Sequence, residues 1–140
     1  MPQITISVHN AELVSAKLRN IRAAIPRITR DDINVATKKI VKEMRSYPSP
    51  PAGSRYTRTY KLKNSWRIKP SPTGSTVVSD AVRKGRHYTR YVVGYASGKG
   101  QARVHLGRWL LFRDVAEYYV SRLPRTIEEH LKIKVKSEGL

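Results

Sequence analysis

The sequence predicts an α+β domain: a small antiparallel β-sheet packed with N-terminal and C-terminal helices. Three observations predict it. Apolar residues recur at helical spacing near both ends, at Val14, Leu18, Ile21 and Ile25, and again from Phe112 to Leu131. Between them, residues 66–79 alternate with period two around a Pro/Gly turn. The chain has 140 residues with 39% apolar content, enough for one modest core and one domain spanning 1–140.

The elements follow in order. Ile4, Ile6 and Val8 alternate with Thr5 and Ser7, so residues 3–9 read as a short strand. Asn10 suits a helix N-cap, and the stripe from Val14 to Ile25 makes the helix amphipathic. Pro26 should end or kink that helix. Thr29 to Asp32 resembles a capping box with Asp in place of Glu. A second helix is then expected from about Arg30 to Arg45, burying Ile33, Ala36, Ile40 and Met44.

Residues 47–59 form a Pro-rich loop, because Pro48, Pro50, Pro51 and Gly53 prevent regular structure. A short helical turn is expected over Tyr60 to Ser65. Strands follow at Trp66 to Lys69 and Thr76 to Ser79, joined by a turn at Ser71 to Ser75. Residues 87–94 fit a short helix or a strand, 96–101 a Gly-rich surface loop, and 106–111 are ambiguous. Phe112, Val115, Ala116, Tyr119, Val120 and Leu123 mark one helix face. Pro124 interrupts that helix or sits at a restart, and Ile127 and Leu131 continue the stripe. Residues 133–140 begin by alternating with Lys and are expected to be a frayed, flexible tail or a short strand.

Charge narrows the function classes. Lys and Arg number 28 against 10 Asp and Glu, a formal net charge of +18. Residues 44–113 carry 15 of the cations and one acid, Asp80. Such a segment attracts polyanions: nucleic acid, anionic lipid or an acidic protein. The polyanion-facing candidates are Lys61, Lys63, Arg67, Lys69, Arg83, Lys84 and Arg86. A solvated basic face that keeps the chain soluble, or one neutralised by acidic neighbours in an assembly, is the plainer alternative. Tyr and Trp interleave with the bases, as a stacking platform for single strands would require, but any half-buried sheet does the same. No apolar run approaches the ~20 residues of a membrane span, and the N-terminus does not read as a secretory signal. There is no Cys, so disulfides, thiolate metal sites and Cys nucleophiles are excluded.

Catalytic patterns are wanting, and the chain is not expected to be an enzyme. Gly94 to Gly100 fails as a phosphate-binding loop: three residues separate Gly94 from Gly98, and Gly100 stands where Ser or Thr must hold magnesium. His9, His87, His105 and His130 show no metal-ligand spacing. Glu128, Glu129 and His130 are expected to form solvated pairs on a helix. Asp80 could serve as a base or ligand, but such an Asp more often caps a turn or pairs with Arg83 or Lys84. A nuclease usually needs several carboxylates for its metals. No cofactor is expected.

The most distinctive stretch is Tyr47-Pro-Ser-Pro-Pro-Ala-Gly53-Ser54-Arg55-Tyr56-Thr57-Arg58-Thr59-Tyr60-Lys61-Leu62-Lys63-Asn64-Ser65-Trp66. Downstream come Tyr88-Thr-Arg-Tyr91-Val92-Val93-Gly94, then Gln101, His105 and Gly107-Arg108-Trp109. In this order, over residues 30–135, they resemble the head–tail joining, tail-completion and minor-tail proteins of tailed bacteriophages. Tyr60 stands where that pattern has Gly. The resemblance implies a structural virion protein, made in the host bacterial cytoplasm and placed at the head–tail junction or in the tail. It implies a hexameric ring contacting connector, neck and tail-tube proteins, with double-stranded DNA passing through.

A ring subunit buries surface against two like neighbours through head-to-tail contacts. Rigid, Pro-rich and aromatic–Arg segments suit such docking. The docking candidates are Tyr47, Pro50, Pro51, Arg55, Tyr56, Arg58, Trp66, Tyr91, Arg108 and Trp109. The alternative for Tyr56, Leu62 and Trp66 is packing on their own subunit's sheet. In that setting the basic face is expected to meet an acidic neighbouring ring rather than the DNA. A free-standing, basic nucleic-acid-binding protein is the alternative function.

Overall fold

The computed structural model describes residues 11–46, 48–49, 52–53 and 61–140. It is a single α+β domain, as its sequence predicts. Five helices are described: α1 (Ala11–Met44), α2 (Lys61–Ser65), α3 (Thr89–Val93), α4 (Phe112–Val120) and α5 (Leu123–Ser137). Two antiparallel hairpins lie between them: β1 (Trp66–Ser71) with β2 (Gly74–Ser79), and β3 (Val82–Arg83) with β4 (Arg86–His87). The expected strand at residues 3–9, its cap at Asn10 and most of the Pro-rich loop lie outside the described residues.

The core forms where the C-terminal half of α1 meets the first hairpin, α3 and α4. Ile40, Val41 and Met44 pack there with Leu62, Trp66, Ala81, Val92, Val93 and Val115. The β1–β2 register sets Trp66 opposite Ser79 and Lys69 opposite Thr76. Strand alternation then turns Trp66 and Ile68 inward and Arg67 and Lys69 outward. Gly74 lets the hairpin reach the helix: a Cβ there would lie 3.0 Å from Ile33 Cγ2. Thr37 Oγ1 and Ser75 Oγ, 2.8 Å apart, hydrogen-bond across the same seam.

The two helices expected on either side of Pro26 are one. α1 runs unbroken for 34 residues with Pro26 inside it. An internal proline costs a helix about 3 kcal/mol. Contacts with α5 on both sides of it offset this. Asn20 Nδ2 donates to Glu138 Oε2 at 3.4 Å, and Asp32 meets His130 Nδ1 at 2.8 Å. The two helices therefore run antiparallel. The expected capping box is thus mid-helix, with Asp32 buried rather than capping a terminus.

The C-terminal end differs from expectation too. Residues 133–137 continue α5 as helix, where a frayed tail or strand was expected. Glu138 pairs with Lys134 one turn back and closes that end. Pro124 marks a restart: it sits in the first turn of α5, where its missing N–H has no partner to lose. Residues 106–111 are turn and irregular chain after a 3-10 turn at Arg103–His105. Residues 87–94 hold both alternatives, since His87 ends β4 and Thr89–Val93 form α3.

Candidate functional site

Gln101 organises the face built from α3 and the segment that follows it. Its Nε2 donates to the carbonyls of Val92 at 2.8 Å and Trp109 at 3.2 Å, with His105 O at 3.4 Å. The backbone adds Ala102 N to Tyr91 O at 2.7 Å and Tyr95 N to Lys99 O at 2.7 Å. Gly94 turns the chain at φ 75° with Leu111 and Lys99 packed close to its Cα. The Gly-rich stretch is therefore a built loop, with the Arg113 guanidinium laid over Gly98 and the Tyr95 ring over Gly100. His105 stacks edge-on against Trp109, ring centroids 6.1 Å apart. Burial, then the nearby Arg108 charge, lowers its pKa below the usual 6.5, so the ring is neutral at pH 7.

This unit sorts the docking candidates. Tyr91 is exposed, and its hydroxyl accepts from Arg90 Nη2 at 2.8 Å, while Tyr95 accepts from Nη1 at 2.6 Å. Arg108 is exposed and Trp109 half-buried against the core. Exposed Val104, Leu106 and Leu110 lie on the same segment. Trp66 corrects the docking expectation. It is 3% exposed and stacks on Phe112 at 5.7 Å, so it packs in its own core, as does Leu62. Arg45 Nη2 further ties the Trp66 carbonyl at 3.0 Å. Tyr47, Pro50, Pro51, Arg55, Tyr56 and Arg58 lie outside the described residues.

All seven polyanion-facing candidates are exposed: Lys61 and Lys63 on α2, Arg67 and Lys69 on β1, and Arg83, Lys84 and Arg86 on the second hairpin. Asp80 pairs with Arg67 at 3.4 Å and not with Arg83 or Lys84. The second hairpin itself escaped sequence reasoning. Its only signal is Lys84-Gly85 between two short segments, and Lys is an unusual residue for a left-handed turn position.

Two further features were not foreseen. Glu128 and Glu129 form solvated pairs with Lys132 and Arg125, but His130 reaches across to the buried Asp32. The apolar stripe that makes the N-terminal part of α1 amphipathic is mostly uncovered: Val14, Leu18 and Ile25 are exposed, joined by Leu13. Among the described residues, no three His, Asp or Glu side chains gather as a metal site would require. No helix among them is long and apolar enough to cross a membrane.

The fold and its surfaces thus define a strongly basic α+β protein with exposed apolar and aromatic side chains on the N-terminal part of α1 and on the segment after α3, and also at Val35, at Tyr118 and Val120 on α4 and at Ile133 on α5. Comparison with protein-family models, with curated proteins and with solved structures finds no match.

Proposed function

We propose that the chain is a ring-forming structural subunit at the head–tail junction of a tailed phage, docking tail to head around the DNA channel. One observation carries the reading: among the exposed apolar side chains, two groups sit on different elements, one beside each half of α1. The first is the Leu13–Ile25 side of α1. The second is the Tyr91, Val104, Leu106 and Leu110 face, whose Trp109 packs against the core that holds Ile40. From Leu18 to Ile40 the helix alone spans about 33 Å. A subunit with unlike apolar surfaces beside the two halves of a helix of this length is suited to head-to-tail contact with two neighbours, the arrangement that closes a ring.

The resemblance to phage joining proteins supports the reading from another side. Tyr91, Gly94, Gln101, His105 and Trp109, which carry part of it, form one hydrogen-bonded unit here, so their spacing has a structural reason. The test is antibody–gold labelling of tailed particles released from cells that make the chain. Gold is expected at the junction between head and tail. Labelling confined to other parts of the particle, or to no particle at all, contradicts the proposal.

A further inference from the structure

We propose that the β3–β4 hairpin is a phosphate-contacting arm for duplex DNA, whether or not the chain forms a ring. The hairpin is built against its own electrostatics. Its register sets Arg83 directly opposite Arg86, and Lys84 sits in the turn between them. Like charges facing each other across a strand pair oppose its formation. Among the described residues no acid relieves them: none of the three makes an ion pair or side-chain hydrogen bond there, and Asp80 is taken by Arg67. The turn adds a second cost. Lys84 has φ 49°, the one non-glycine residue with positive φ among those described, followed by Gly85 at φ 73°. Asn or Gly adopts that conformation more readily than Lys. Three cations held together at a cost to stability make sense when an anion arrives between them.

The root of the hairpin is firm, so the backbone that carries the three cations is held in place. Ala81 is buried, and its carbonyl accepts from Tyr88 N at 3.2 Å. A chain of hydroxyls runs beneath it, Ser65 Oγ to Ser79 Oγ to Thr89 Oγ1, each step 2.7 Å. All six residues from Val82 to His87 are exposed.

The chemistry favours a duplex backbone over the other polyanions. A protein partner calls for aromatic or aliphatic anchors at the centre of the contact, and the hairpin offers only Val82. A single strand calls for stacking rings, and Arg83 to Arg86 has none. A two-stranded ribbon fits the width of a DNA groove, and phosphate contacts need only placed cations. Such contacts carry no sequence preference and are screened by salt, so DNA held by a few of them can still move.

The experiment measures anisotropy of a labelled mixed-sequence duplex with the full chain, from about 50 to 200 mM salt. The variant Arg83→Ala/Lys84→Asn/Arg86→Ala is compared with Arg19→Ala/Arg22→Ala/Arg27→Ala, which removes equal charge from α1. The hairpin variant is expected to lose on the order of a hundredfold in affinity at about 0.1 M salt. The slope of log K against log salt should become shallower by about 2 to 3. The α1 variant should lose less than about tenfold, and the hairpin variant's melting temperature should not fall, since its changes relieve repulsion and strain. Equal losses in the two variants would make the attraction a diffuse field and overturn the proposal. So would a wild-type chain that binds no duplex in this range. Displacement of the duplex by polyglutamate at matched charge would point to an acidic protein surface instead.

Discussion

The two halves of α1 carry the same kind of apolar stripe and meet opposite fates. From Ala36 to Met44 the stripe is covered by the first hairpin, α3 and α4, and Met44 keeps 2% exposure. From Leu13 to Ile25 only the side towards α5 is covered, and Leu18 keeps 54%. Helical periodicity reports which side of a helix is apolar, but not whether this chain or another molecule covers it. The comparison teaches that an amphipathic stripe left open beside a finished core is a candidate contact surface rather than a defect of packing.

Substitutions can break or sharpen this contrast, and they are ordered by expected effect on folding. Met44→Ala opens a cavity in the packed half and should cost about 2 to 5 kcal/mol, read from denaturant unfolding. Gln101→Ala removes a donor shared among the Val92, Trp109 and His105 carbonyls. It should cost about 2 to 3 kcal/mol, with faster hydrogen exchange at Tyr95 and Ala102, the amides that brace the same face. Asp32→Ala, at the boundary between the halves, breaks the pair with the partly exposed His130. It should cost about 1 to 2 kcal/mol and loosen α5 first in hydrogen exchange.

The pH dependence is smaller and has a definite sign. Burial of His105, aided by Arg108, lowers its folded-state pKa, so the unfolded chain takes up the proton first. Its contribution is therefore complete above the ordinary value of 6.5 and is lost as pH falls below it. The melting temperature should drop as pH falls from about 6.5 towards 5, and His105→Gln should flatten part of that drop. Leu18→Glu should change folding stability least, within about 0.5 kcal/mol, because its site faces solvent in the isolated chain.

Much of the architecture was legible in the sequence. The first hairpin, most of the α4 face and the C-terminal part of α1 follow from period and turn chemistry, with Ala36, Ile40 and Met44 buried as expected, whereas Ile33 is half-buried and Val120, expected on the α4 face, is exposed. Pro26 misled because local propensity was outweighed by α5 packing across it, an interaction over a hundred residues of chain. Asp32 looked like a cap for the same reason. The second hairpin was illegible because its strands are two residues long, too short for any alternation to register. Trp66 shows the ambiguity of aromatic signals: the same ring can anchor a neighbour or fill its own core, and burial against Phe112 decides for the core.

The central claim is that the open half of α1 and the Leu106 face are contact surfaces for successive copies of this chain. The native sequence contains no Cys, so introduced thiols report without background. The measurement is oxidative cross-linking of a Leu18→Cys/Leu106→Cys double variant at concentrations where the chain self-associates, with each single variant beside it. Head-to-tail contact predicts a ladder of covalent oligomers ending at a hexamer for the double variant and monomer for each single variant. Efficient dimer formation by Leu18→Cys alone, with no ladder from the pair, would mean that the helix face meets its own copy symmetrically and would contradict the ring.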